Sequence, residues 1–160
     1  MASEIKVDTI VNAGGDNDTG IDLATNDQIL LKVANATKLT MNSTGQTTIV
    51  GEGGTTTTSV QQGLVKAWCK FDGEAGSIAN DDSFNVSGLT DHGTGQYTVA
   101  IDNDMANDDY AHTCNGSEQV MSPLNSGNTL AGSVRIYSKN LSDSFIDAQE
   151  VSIQITGDLA

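Results

Sequence analysis

His92 and His112 are the only histidines in this 160-residue chain, and Cys69 and Cys114 are the only cysteines. His112 and Cys114 lie two positions apart, so on an extended strand they share a face, as a Cys–His nucleophilic pair would need. Nothing beside them supplies an orienting group or oxyanion donors, so no nucleophile is expected there. His92 lies in Asp91-His92-Gly93-Thr94-Gly95, a turn signal, and reads as a turn residue rather than a base. The cysteines show no CxxC or Cys/His spacing for zinc. Cys69 sits inside an alternating run and reads as a small buried hydrophobe. A Cys69–Cys114 disulfide is left open.

Carboxylates are the abundant functional group, with 21 Asp and Glu against 7 Lys and Arg, a formal charge of -14. No Lys or Arg occurs between Phe71 and Val134, where ten acids fall. Such a stretch reads as a solvated surface, with a calcium site or a face for a basic partner as the sharper alternative. Asp102-Asn103-Asp104-Met105-Ala106-Asn107-Asp108-Asp109 has spaced oxygens, but neither Ala106 nor Asn107 is the Gly that a calcium-binding EF-hand loop needs at its sixth place, and no Glu closes the loop. Asp16-Asn17-Asp18 is a similar weak case. A glycosidase would need two acids about 5–10 Å apart in a groove with aromatic platforms. The seven aromatics are needed for the core, and most fall at expected inward positions. No Gly-rich loop precedes a helix, so nucleotide binding has no support. The sequence therefore assigns no catalytic, cofactor-binding or metal-ligating residue, no cofactor, and no enzyme activity. The net charge repels phosphates and anionic lipid, which argues against nucleic-acid binding and membrane-surface roles. No run approaches the roughly 20 apolar residues of a membrane span, and Met1–Val7 lacks the pattern of a signal peptide.

The elements that would carry these residues are short strands. Trp68 is the first aromatic residue. Before it, Ile5–Val11, Ile21–Ala24, Gln28–Ala34, Thr37–Asn42 and Thr47–Gly51 alternate or run apolar, separated by turns such as Ser43-Thr44-Gly45-Gln46. In the first of these, Ile5, Val7 and Thr9 share a face. Glu52–Ser59 reads as a Gly/Thr linker, or as a neck strand in a trimer. After it, Leu64–Gly73, Phe84–Leu89, Gln96–Asp102, Ser133–Ser138 and Val151–Thr156 alternate with period two. Val65, Ala67, Cys69 and Phe71 are expected on one face. With these five runs named and polar turns between them, six or seven short strands are expected in all, which argues for an antiparallel sandwich. Leu141–Ala148 is a helix candidate that suits a turn equally well. The fold class expected is all-β: strands over 1–58, a linker end at 59–62, and a β-sandwich knob over 63–160. The first part offers medium aliphatic side chains on one face and is too small to stand alone. Three copies meeting on an axis would cover those faces and protect the strand edges.

Two stretches resemble a known family. Leu31-Lys32-Val33-Ala34-Asn35-Ala36-Thr37-Lys38-Leu39-Thr40-Met41-Asn42-Ser43-Thr44-Gly45-Gln46-Thr47-Thr48-Ile49-Val50-Gly51 resembles a segment common in bacteriophage tail-fibre proteins. Asn35-Ala36 stands where that segment usually has an Asn-Gly or Asp-Gly turn. Lys66–Gly73, Asp82–Ser87, Thr90–Val99, Met105-Ala106 and Tyr110-Ala111 resemble the β-rich head domain of tail fibres from marine and cyanobacterial phages. The resemblance implies a virion protein assembled in the host cytoplasm, a homotrimer with N-terminal shaft or attachment strands and a C-terminal knob. Its partners would be itself, other virion structural proteins, and a host surface glycan or receptor. At 160 residues it implies a short fibre or fibre-like component. A capsid decoration (cement) protein and a glycan-binding module are the alternatives.

Overall fold

Alternating runs broken by Gly, Asn and Ser turns favour strands, and the computed structural model is all-β with short antiparallel sheets. It describes residues 5–12, 14, 18–51, 53–117, 120–123 and 126–160. Two compact units occur, residues 1–63 and 64–160.

The first unit is one six-stranded meander: β1 (Thr9–Val11), β2 (Gly20–Asp22), β3 (Ile29–Val33), β4 (Ala36–Met41), β5 (Thr47–Val50) and β6 (Thr57–Ser59), each paired with the next. A single helical turn, α1 (Val60–Gly63), follows. Thr57–Ser59, read from sequence as part of a linker, instead pairs with β5. Gln61 secures that end, its side chain accepting from the Thr47 N–H and donating to the Gly45 carbonyl. The β3–β4 turn is Ala34-Asn35, one residue earlier than the Asn35-Ala36 expected, because Val33 pairs with Ala36. Both turn residues have positive φ, 52° and 57°. That is the two-residue turn whose twist matches the flanking strands, and Ala tolerates its first position poorly. The Ser43–Gln46 turn forms as expected, with Gly45 at φ 80° and the Asn42 carboxamide accepting from the Gln46 N–H.

The second unit is a sandwich. One sheet runs β11 (Ala111–Gly116), β15 (Val151–Thr156), β7 (Val65–Phe71), β8 (Asn80–Phe84); the other runs β12 (Val120–Pro123), β14 (Ser133–Lys139), β10 (Gln96–Ile101), β9 (Val86–Asp91), with β13 (Thr129–Leu130) also paired to β14. Inward residues of both sheets form one core: Ala67, Cys69, Phe71, Val151, Ile153 and Ile155 from the first, Tyr97, Val99, Ile101, Val134 and Ile136 from the second. Phe71 and Tyr97 meet edge to face across it, with ring centroids 5.2 Å apart. Nine strands form where six or seven were expected.

Two local expectations are corrected. Val65 does not join Ala67, Cys69 and Phe71. The β7–β15 register slips between Ala67 and Val65, so Lys66 occupies a bulge, is buried, and donates to the Leu64 carbonyl, while Val65 is exposed. Phe84–Leu89 is not one strand. Asn85, with φ 54°, ends β8 and starts β9 in the opposite sheet. Its carboxamide accepts from the Asn103 N–H and donates to the Lys66 and Asn103 carbonyls, which fixes the corner. Of the two readings left open for Leu141–Ala148, the turn holds and the helix does not. Asn140 accepts from the Ser142 and Ser144 N–H groups, Phe145 bridges back to Lys139, and Ala148 enters the core.

Candidate functional site

The chemistry-bearing residues singled out from sequence do not converge. Cys69 and Cys114 both stand opposite Ile153, one on each side of β15. Two strand spacings place their backbones roughly 9–10 Å apart, beyond the reach of a disulfide, and both thiols are free. Burial pushes Cys69 up to about 12 and Cys114 up to about 11. An activated cysteine needs the reverse shift. His112 shares the inward face of β11 with Cys114, as the spacing requires. Neither of its ring nitrogens has a hydrogen-bond partner, and its ring packs edge to face against Tyr110. Burial holds it below the usual histidine range. His92 is exposed in its turn, its Nε2 2.9 Å from Thr98 Oγ1.

The acidic run Asp102–Asp109 is a structural corner. Met105 plugs the core between acids that face solvent. Its N–H donates to the Ala131 carbonyl and the Ala106 N–H to the Asp158 carbonyl. Asn107 turns the chain by accepting from the Asp109 N–H. Among the described residues, no three His, Cys, Asp or Glu side chains come close enough to hold a metal ion. Asp16 and Asn17 lie outside the described residues. One carboxylate does structural work that sequence did not reveal. Asp147 Oδ1 accepts from the Gly95 N–H at 2.6 Å and from the Tyr97 hydroxyl at 2.8 Å. Gly95 has φ 65°, and a Cβ there would lie 2.5 Å from the Ser138 carbonyl oxygen, so only glycine fits.

Surface, rather than chemistry, distinguishes the first unit. Among the described residues before Lys66, none is buried. Register aligns Ile10, Ile21, Leu31, Leu39 and Ile49 directly opposite one another across five strands. Ile29 pairs with Met41 in the flanking row, and Val33 continues the face of β3. Ile10 is 52%, Val33 50%, Met41 46% and Leu31 39% exposed. In β1 it is Ile10, not Thr9, that joins this face. The opposite face is mixed: Leu30 stands between Asp22 and Thr40, and the Lys32–Asp22 ion pair and Thr48 lie beside it. The Lys32 ammonium holds the Asp22 carboxyl below the usual carboxylate range. One side of the sheet thus carries an uncharged aliphatic ladder, and the other carries the ion pair and threonines around Leu30.

No family model matches the chain, and no curated protein matches it. A solved structure distantly similar to it is the phiAB6 tailspike in complex with three-repeated oligosaccharides of Acinetobacter baumannii surface polysaccharide. The TM-score is 0.43 and the identity 9%, over 93% of this chain and 38% of the tailspike chain.

Proposed function

We propose that this chain is a non-enzymatic structural component of a phage virion, a short fibre-like part. Residues 1–63 associate with other copies as a homotrimer, and residues 64–160 form the displayed head that meets the host surface. The observation that carries this reading is the first unit's lack of any buried described residue beside a sheet face of aligned Ile and Leu. A single layer of strands has no core of its own, and apolar patches of several hundred Å² mark interaction surfaces. Covering that face by copies of itself is consistent with charge. Its aligned row contains no ionised side chain, so chains that are each strongly acidic can meet there without opposing carboxylates. The sequence resemblance to tail fibres supports the virion setting. Burial raises both cysteine thiols, the reverse of what an activated nucleophile needs.

Light scattering coupled to size exclusion should return three times 16.6 kDa, and a monomer mass would overturn the assembly. Reconstruction of the virion should place the chain at the tail. Density on the head at many copies would replace the fibre reading with that of a decoration protein.

A further inference from the structure

The outward face of the β11-β15-β7-β8 sheet carries two aromatic side chains in one row. Thr113, Gln154, Trp68 and Phe84 stand opposite one another in four successive strands. Trp68 is half-buried and Phe84 is 54% exposed. The next outward row, one strand repeat or about 7 Å along, is Asn115, Ser152, Lys70 and Asp82. At that row a cleft of about 230 Å³ opens, lined by Lys70, Asn115, Ser117, Glu150 and Ser152. Lys70 Nζ lies 2.9 Å from Glu150 Oε1.

We propose that this face is a binding site for an uncharged glycan, with the Trp68–Phe84 pair as the platform for one sugar ring and the Lys70–Glu150 cleft for its neighbour. An aromatic face packs against the C–H side of a pyranose, and its amphipathic surface suits a ligand that is apolar on one side and wet on the other. Beside the platform, Thr113, Gln154, Asn115 and Ser152 offer neutral donors and acceptors for hydroxyl groups. The ammonium and carboxylate of the cleft satisfy each other when empty and present one donor and one acceptor set to a polyol. Charge selects the class of sugar. The cleft pair is self-neutralising, and residues 64–160 carry 14 Asp and Glu against 4 Lys and Arg, a net -10. An anionic polysaccharide is repelled, and a neutral one is not. This inference rests on the reading that residues 64–160 are the displayed head.

Trp68 is the only tryptophan, so emission excited at wavelengths that tyrosine does not absorb reports on the site alone. An array of neutral oligosaccharides, followed by titration of the best binder against Trp68 emission, should show saturable change, with polygalacturonate inert. Trp68→Ala and Phe84→Ala should each weaken array binding at least tenfold, and Glu150→Gln by less. Thr98→Ala, on the other sheet, should leave it unchanged. Circular dichroism would confirm that the variants fold. Silence across the neutral array overturns the proposal, as does equal binding by the Trp68 and Phe84 variants or a preference for polygalacturonate. Light scattering on the same samples separates the two readings. An oligomer that binds no sugar removes only the glycan site, and a monomer that binds sugar through Trp68 removes only the assembly.

Discussion

Residues 1–63 and 64–160 are made of the same material, short antiparallel strands with alternating side chains, and differ in whether a second layer exists. In the second unit the inward faces of two sheets interdigitate, and residues such as Phe71, Tyr97, Val99 and Ile153 lose essentially all contact with water. The first unit has one sheet, and none of its comparable ladder, Ile21, Leu31, Leu39 and Ile49, is buried. Alternation is a property of a strand, whereas burial is a property of what faces the strand. The same pattern therefore makes a core in one half and leaves an aliphatic face unburied in the other.

The sharpest way to separate the halves is to damage each and ask what the other notices. Phe71→Ala should cost about 3–5 kcal/mol by opening a cavity in a close-packed core. Chemical denaturation would read it, and assembly through the first unit should survive in conditions where the sandwich remains folded. Leu31→Asp does the converse. A carboxylate at the centre of an apolar contact should weaken self-association by about 3 kcal/mol, or two orders of magnitude, seen as loss of mass at fixed concentration. Thr40→Asp, on the polar face, should leave the mass unchanged. If Leu31→Asp also leaves it unchanged, the aliphatic face is not where copies meet.

Smaller changes sharpen the comparison. Asp147→Asn weakens the charge-assisted acceptance from Gly95 and Tyr97 and should lower sandwich stability by about 1–3 kcal/mol. Ala34→Gly relieves a left-handed alanine in the β3–β4 turn and should stabilise the first sheet by roughly 1 kcal/mol, visible as slower amide exchange in β3 and β4. The smallest effect concerns His112. Its folded value lies below 6.5 through burial, so below 6.5 the unfolded chain binds the proton more readily. Stability should then fall as pH drops from 6.5 toward the folded value. In His112→Leu, denaturation midpoints between pH 7.5 and 5.5 should lose that part of the slope.

Sequence was most legible where both faces of a strand have settled environments. Ala67-x-Cys69-x-Phe71, Tyr97-x-Val99-x-Ile101 and Val151-x-Ile153-x-Ile155 all put the expected residues inward. It was least legible at edges and corners. Asn80-Asp81-Asp82-Ser83 carries no apolar alternation, because β8 borders its sheet and its outward side chains meet water, so the strand was missed. The bulge at Lys66 and the corner at Asn85 arise from register with β15 and β10 and from bonds to Asn103, partners remote in sequence. The aromatics misled for a related reason. They were read as mostly inward, yet Trp68, Phe84, Tyr137 and Phe145 are not fully buried, because the thin sandwich needs only Phe71, Tyr97 and Tyr110 in its core. The Trp68–Phe84 pair that defines the candidate glycan face becomes visible only when β8 is laid beside β7.

The position of β7 has a mechanical consequence. It is the strand by which the chain enters the sandwich, and it lies inside its sheet, paired to β15 on one side and β8 on the other. Tension arriving from residue 63 and resisted at Trp68 would run along that strand. Its ladder bonds lie across the pull and would have to yield together in shear rather than unzip one at a time. The load would then enter on the strand that carries Trp68 and pass sideways through the ladders to β8 and β15, which carry other parts of the proposed sugar site.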